Sequence, residues 1–178
     1  AGRPTGGAPA MPARALGLSA AGAPTCLPFA AEAAPKVAAL LAEAASAHGD
    51  DARAETLLKA AQHTDPQCLA AYFALYKFYF YRGRLLEAEQ AALDGLAVAG
   101  AQGRFASDWE ILHPDSADWT PATGPVRFYL FSLKALAFIR LRSGRTTEAA
   151  AILAKLAELD PRDQVGASVI RSLAAKIR

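Results

Sequence analysis

The spacing of apolar residues along the chain changes near residue 35. Before that point five prolines and several glycines interrupt every helical period, so residues 1–34 are predicted to form an N-terminal tail or linker. Beyond it, apolar residues recur three and four positions apart, the period of an amphipathic helix. This pattern predicts helices over 35–48, 51–64, 68–82, 85–99, 126–143, 147–159 and 163–177. We therefore expect one all-α domain over 35–178.

Landmark residues in these helices recur at a fixed interval. An interval of 34 residues separates three matched pairs, namely Leu41 and Leu75, Gly49 and Gly83, and Ala54 and Ala88. Gly144, Ala149 and Pro161 repeat the spacing of the first unit's glycine, alanine and proline after an insertion. Each glycine suits a turn with positive φ at the end of a helix. Such a period predicts stacked helical pairs, because one pair cannot bury both of its apolar faces alone.

This helix-turn-helix pattern resembles the tetratricopeptide repeat (TPR) family over 35–68, 69–102 and about 130–163. The matching positions are Leu41, Gly49, Ala54, Leu58, Ala61 and Pro66, then Tyr72, Leu75, Tyr79, Gly83 and Ala88, then Leu133, Leu136, Gly144, Ala149, Leu153 and Pro161. The resemblance implies an α-solenoid of three TPR-like repeats, a right-handed superhelix with a capping helix over 163–177. Tyr76, where the family usually has a small residue, and Gly100, where it has proline, depart from the pattern.

Aromatic residues concentrate in the first helix of the second unit. Seven of the chain's 15 aromatic residues lie between positions 72 and 81, more than one packed seam can bury. The resemblance implies that the first helix of each pair lines a concave face. The residues predicted to line a partner-binding groove there are Phe73, Lys77, Phe80, Tyr81, Arg84, Lys134, Phe138 and Arg142. An aromatic and basic groove suits an apolar helix or extended peptide with acidic character.

An alternative interpretation applies to the same aromatic residues. Phe80, Phe131 and Phe138 would then be covered by the chain's own insertion or by its N-terminal tail, and the sequence leaves both interpretations open. Tyr and Phe suit either arrangement, because each supplies a large contact area at low rotamer cost.

The insertion over 103–129 contains both tryptophans and the densest polar cluster of the chain. The polar residues of this cluster are Asp108, Glu110, His113, Asp115 and Asp118. One histidine among carboxylates lacks the spacing of a metal site, so no metal is predicted. The favoured interpretation is that Trp109 and Trp119 dock the insertion while the acids stay solvated. A further alternative is that the acidic loop folds against Lys77 or Arg142 and regulates the groove.

Charge and hydropathy narrow the class of protein. The formal net charge of +2 argues against a strongly basic nucleic-acid binder. No apolar run approaches the roughly 18 residues of a membrane-spanning helix, so no membrane partner is expected. Cys26 and Cys68 form no close pair and are predicted to be free thiols, which fits a reducing, cytoplasmic location. No phosphate-binding glycine motif occurs, and no cofactor is predicted.

The predicted function is therefore noncatalytic protein binding, as an adaptor or chaperone. His48, His63 and Cys68 are not placed as a catalytic set. The chain contains no Asn, which argues against the carboxylate clamp that the resemblance would otherwise suggest. An alternative is a self-assembly module that forms a homodimer through the same aromatic residues. A weaker alternative is an accessory factor of a bacterial secretion or nitrogen-fixation system.

Overall fold

The computed structural model describes residues 29–47 and 49–176. Residues 1–28, which include Cys26 and most of the predicted tail, lie outside the described part, as does His48. Seven α-helices are found there: α1 (Pro35–Ser46), α2 (Asp51–Thr64), α3 (Leu69–Tyr81), α4 (Leu85–Gly103), α5 (Gly124–Arg142), α6 (Thr146–Leu159) and α7 (Ala167–Lys176). No strand occurs in these ranges. The prediction of an all-α protein is confirmed.

Most of the helices form antiparallel neighbours joined by short turns, whereas an irregular segment over 104–123 joins α4 to α5. The three predicted turn glycines, Gly49, Gly83 and Gly144, have φ of +81°, +71° and +79°, a region that residues with a Cβ rarely adopt. Each helix contacts the next along the chain, and α1 also contacts α3, α3 contacts α5 and α5 contacts α7. The odd-numbered helices therefore lie side by side in a row.

Two predicted helix boundaries are wrong by four residues, one because of a tertiary contact and one because of the local backbone conformation. Helix α4 continues past Gly100 to Gly103. Gly100 is needed because the chain turns back over it: a Cβ there would lie 3.0 Å from the carbonyl oxygen of Phe105. Helix α7 begins at Ala167 rather than at residue 163, because Asp163 and Gly166 have left-handed φ values of +52° and +70°.

The core lies between the helices, with helix α3 at its centre. Ten of the 13 residues of α3 are buried, because α2, α4 and α5 all pack against it. Tyr72 and Tyr79 keep their hydroxyl groups hydrogen-bonded, to the carbonyl oxygen of Pro66 at 2.9 Å and to Glu55 at 3.0 Å. No helix in the described part of the chain is both long and apolar enough to cross a membrane.

Candidate functional site: an aromatic cleft between α3 and α5

Facing stripes of helices α3 and α5 form a cleft. On α3 the stripe has the i, i+3, i+4, i+7 spacing of one helix face, and α5 repeats it. The residues that line this aromatic cleft are Phe73, Tyr76, Lys77 and Phe80 on α3, and Phe131, Lys134, Ala135, Phe138 and Ile139 on α5. The structure thus brings together five of the eight residues predicted to bind a partner.

The cleft is narrower than the predicted open groove. The rings of Phe80 and Phe138 lie 5.1 Å apart, and Phe73 and Phe138 are buried, each with 4% of its surface exposed. About 20 Å³ of free space remains between the walls, which is room for about one water molecule. A partner would therefore lie across the mouth of the cleft, where Phe80 is half-buried.

Two lysines supply the charge of the cleft. The ammonium of Lys77 lies 4.9 Å from the centroid of the Phe73 ring, and that of Lys134 lies 4.7 Å from the centroid of Phe131. No ion pair to either lysine occurs within the described ranges, and residues 1–28 contain no Asp or Glu. The two cations therefore make no direct ion pair with these parts of the chain, and the carboxylate of Asp163 acts on Lys134 only at longer range.

Lys134 is held deep in the cleft. Only 4% of its surface is exposed, and its Nζ donates a hydrogen bond to the carbonyl oxygen of Val165, 2.5 Å away. Burial lowers the pKa of Lys134 to about 8, helped by the positive charge of Arg127. Burial also lowers the pKa of Lys77. Desolvated ammonium groups gain more from a carboxylate than exposed ones do, because water competes less for them.

Tyr81 and Arg142 lie at the edge of the cleft. The Tyr81 ring, 51% exposed, contacts the Phe80 ring edge-on at 5.7 Å. The guanidinium of Arg142, which is exposed, lies 5.9 Å from the Phe80 ring centroid. Both residues can therefore reach a partner that covers Phe80.

Arg84 does not belong to the cleft, contrary to the prediction. Its guanidinium donates to Glu55 at 2.5 Å and to Glu87 at 2.8 Å, and it covers the Tyr79 ring at 4.6 Å. The bond from Arg84 and a second one from Lys59 hold the pKa of Glu55 at about 2. Arg84 therefore fastens the α3–α4 turn to α2.

The chain itself covers one end of the cleft. Phe29 makes edge-on contacts with the rings of Phe73, Phe128 and Phe131, at centroid distances of 5.8, 5.2 and 6.2 Å. The sequence left open whether the aromatic residues bind a partner or are covered by the chain itself. At this end of the cleft the N-terminal part of the chain covers them. The Phe80 end has no such ring contact with Phe29 within the described residues.

The irregular segment between α4 and α5 docks elsewhere. Trp119 is buried against Phe105 and Tyr129, with centroid distances of 5.3 and 6.2 Å, and Leu112 of the same segment is also buried. The ammonium of Lys155 on α6 donates to the carbonyl oxygen of Leu112 at 2.7 Å. The interpretation that a tryptophan docks the insertion is confirmed for Trp119. The regulatory alternative requires that this segment pair with Lys77 or Arg142. Within residues 29–47 and 49–176 it forms no ion pair with either residue.

The acids of this segment are exposed, as expected for solvated groups. In the described part of the chain no group of three or more His, Cys, Asp and Glu side chains could hold a metal ion. Of the candidate catalytic residues, Cys68 is a buried free thiol. The Nδ1 of His63 lies 2.7 Å from the carbonyl oxygen of Lys59 in the same helix, so that ring nitrogen is within hydrogen-bond distance of the backbone.

A second cavity lies between the α1–α2 hairpin and α3. It offers about 380 Å³ of free space, far more than the aromatic cleft. Its lining includes Leu41, Ala44, Ala45, Ala54, Leu58, Ala74, Lys77, Phe78, Tyr81 and Arg82, and we name it the alanine cavity. Sequence reasoning missed it, because alanines in a helix are equally consistent with close packing. The available signal was the grouping of alanines at positions 42–47.

The described helices and the cleft define an all-α protein with paired aromatic and basic residues on neighbouring helices. No family model matches the chain, and no solved structure matches it. It is 32% identical over 127 residues to the "Uncharacterized 19.8 kDa protein in nifW 5'region" of Azotobacter chroococcum mcd 1. The alignment covers 69% of this chain and 70% of that protein. The chain therefore belongs to the same family as this bacterial protein.

Proposed function

We propose that this protein is a noncatalytic protein-interaction module that binds an acidic and apolar segment of a partner across the aromatic cleft. One observation carries the proposal: Lys77 and Lys134 lie among aromatic rings without a direct ion pair within the described residues. An aromatic surface contributes contact area, and the desolvated cations select for carboxylates. We also propose that it acts in the cytoplasm.

We further propose that the helices form a TPR-like solenoid. The side-by-side row of odd-numbered helices and the positive φ of the three turn glycines support this arrangement. In a solenoid of this kind the row is a continuous surface on which a partner segment can lie. The aromatic cleft lies on that row, between α3 and α5.

The relative's name supports one biological setting. That protein is described by its position in the 5' region of nifW. We propose on this basis that the present chain is an accessory factor of a nitrogen-fixation system, acting as an adaptor or chaperone for one of its components. A secretion system, the other setting considered from the sequence, has no comparable support.

Affinity selection from a random dodecapeptide phage library, with the full chain as bait, tests the binding proposal. We expect enrichment of peptides that combine Asp or Glu with large apolar residues. Phe80→Glu should weaken their binding by about tenfold or more, because it puts a carboxylate beside the aromatic surface. Leu86→Glu is the matched control, since Leu86 is highly exposed on α4. Equal effects of both variants would contradict the proposal.

Light scattering over a dilution series separates partner capture from the self-assembly alternative. A monomer at all concentrations supports capture of another protein. A dimer that Phe80→Glu dissociates and Leu86→Glu preserves would mean that a second copy occupies the cleft.

A further inference from the structure

The alanine cavity is wide because its wall residues are small. Ala44 and Ala74 are buried and Ala45 is exposed, and none of the three extends beyond Cβ. Leu41, Leu58 and Phe78 give the cavity an apolar lining. The free space of about 380 Å³ exceeds the volume of a large side chain such as Leu, Phe or Trp. The apolar lining and the volume of the cavity therefore fit a large apolar side chain best.

Lys77 connects this cavity to the aromatic cleft. It lines both spaces and lies on α3 between them. The other cation of the cavity, Arg82, is already engaged, since it pairs with Asp51 and stacks on the Phe78 ring at 3.8 Å. Lys77 has a ring contact but no carboxylate in the described ranges. Among the described residues of the lining, the charge available to a ligand is therefore that of Lys77.

We infer that the alanine cavity is the anchor pocket for the partner segment. A large apolar side chain of the segment fills the cavity, and a nearby carboxylate of the same segment pairs with Lys77. The inference rests on the proposed function and specifies which partner chemistry the site selects. Because Lys77 itself lines the cavity, an acid close in sequence to the anchor residue reaches it.

Charge argues against residues 1–28 of this chain as the source of the segment and favours another protein. Residues 1–28 contain leucines that could enter the cavity, but they contain no Asp or Glu. That part of the chain therefore cannot provide the carboxylate for Lys77. A segment with an acid next to a large apolar residue satisfies both features of the site.

The test uses full-length protein and fluorescein-labelled dodecapeptides synthesised from the phage selection, with affinity measured by fluorescence anisotropy. Ala45→Phe fills the cavity from an exposed position and should weaken binding by about tenfold. Ala42→Phe, at an exposed position on the same helix outside the cavity lining, should change it less than about twofold. Replacing the peptide's acid by its amide should weaken binding to the wild-type protein. The same replacement should have little effect on binding to the Lys77→Gln protein, because a double-mutant cycle gives this result when the two groups pair directly.

A second readout needs no substitution in the protein. Methyl resonances of Leu41 and Leu58 should shift when the peptide is added to the wild-type chain, because both side chains line the cavity.

Several results would overturn the inference. If Ala45→Phe binds like wild type while Phe80→Glu does not bind, the cleft binds partners and the alanine cavity is not the anchor pocket. Enriched peptides without an acid near a large apolar residue would also reject it. A dimer that Ala45→Phe dissociates would identify a second copy as the occupant. If no peptide is enriched, the proposed function fails, and this inference fails with it.

Discussion

The ammonium of Lys134 donates a hydrogen bond to the carbonyl oxygen of Val165, 2.5 Å away, and so ties the middle of α5 to the loop before α7. Val165 is itself buried, and its amide donates to the carboxylate of Asp160 at 2.9 Å. The loop is thus held from both sides. This lysine is desolvated, which lowers its pKa. The stability of the folded chain should therefore depend on pH in the range where Lys134 titrates.

The first prediction concerns stability between pH 8 and about pH 9.5. The pKa of Lys134 is lowered from 10.5 to about 8 by burial and by Arg127, with Asp163 acting in the opposite direction. Between these two values the unfolded chain binds more protons, so the free energy of unfolding rises with pH. The slope should approach about 1.4 kcal/mol per pH unit from this one group. Urea unfolding followed by circular dichroism measures it.

Two variants provide the comparison. Lys134→Met removes one titrating group and should reduce the rise, leaving the part that comes from Lys77, whose pKa is also lowered by burial. Lys36→Met, at an exposed position on α1, should retain the full rise. Stopping near pH 9.5 limits an opposing effect of the buried tyrosines. Burial raises the pKa of Tyr76 and Tyr129 in the folded chain, whereas tyrosine in the unfolded chain ionises at about pH 10, so their ionisation lowers the free energy of unfolding at higher pH. The same rise in Lys134→Met as in wild type would contradict the assignment.

The second prediction concerns the ion-pair network between α4 and α5. Glu89 accepts a hydrogen bond from Arg140 at 3.0 Å and another from Arg145, and only 12% of its side chain is exposed. Glu89→Gln should lower the free energy of unfolding at pH 7 by about 2 kcal/mol, since two arginines lose their shared counterion. Thermal unfolding of both proteins measures the difference.

The pH dependence of this difference has a defined sign. Burial raises the pKa of Glu89, but bonds from Arg145 and Arg140 outweigh it, and the net pKa lies below 4.5. Its contribution is therefore complete above pH 4.5 and is lost as the pH falls through the lowered pKa. Wild type and Glu89→Gln should converge in acid. Glu148→Gln, a more exposed partner of the same arginines, should cost less at pH 7.

Local features could be predicted from the sequence because they depend on nearby residues. Gly49, Gly83 and Gly144 occur where a turn requires positive φ, and the apolar period located all seven helices. Helix α4 runs past Gly100 because the need for glycine there comes from Phe105, which turns back over the helix. A distant contact of that kind leaves no local pattern.

The candidate site was predictable in part for the same reason. Helical spacing placed Phe73 and Lys77 on one face, and the resemblance to the TPR family implied that Phe138 lies on the matching face of the third unit. Arg84 was misassigned because its partner Glu55 is 29 residues away in sequence. The burial of Lys134 depends on the loop around Val165, which packs against it only in the folded chain.

The third prediction tests the close approach of α3, α4 and α5. A Cβ on Gly95 would lie 3.0 Å from both the Phe128 ring and the Cβ of Tyr72. Gly95→Ala should therefore lower the free energy of unfolding by about 1 to 3 kcal/mol, although alanine favours helix by about 1 kcal/mol. Ala97→Gly, at an exposed position on the same helix, should lower the free energy of unfolding only by the difference in helix propensity between alanine and glycine. Urea unfolding that showed Gly95→Ala to be more stable than wild type would refute this packing.

The fourth prediction concerns the docked segment between α4 and α5. Trp119 packs on Phe105 and Tyr129, and its Nε1–H donates to the carbonyl oxygen of His113 at 3.3 Å. Trp119→Ala should cost about 3 to 5 kcal/mol, as for other buried aromatic residues. Trp109→Ala should cost less, because Trp109 is only half-buried.

Limited trypsin digestion reports on the same contact through Arg104, which lies at the start of this segment. Losing Trp119 should free the segment while the helices stay folded, because the helix cores are built from other residues. Cleavage after Arg104 should then become faster at temperatures well below the midpoint of thermal unfolding. Trp109→Ala serves as the control and should leave the cleavage rate close to that of wild type. If Trp119→Ala lowers the unfolding midpoint without a change in local cleavage, Trp119 supports the whole helical core rather than the docking of one segment.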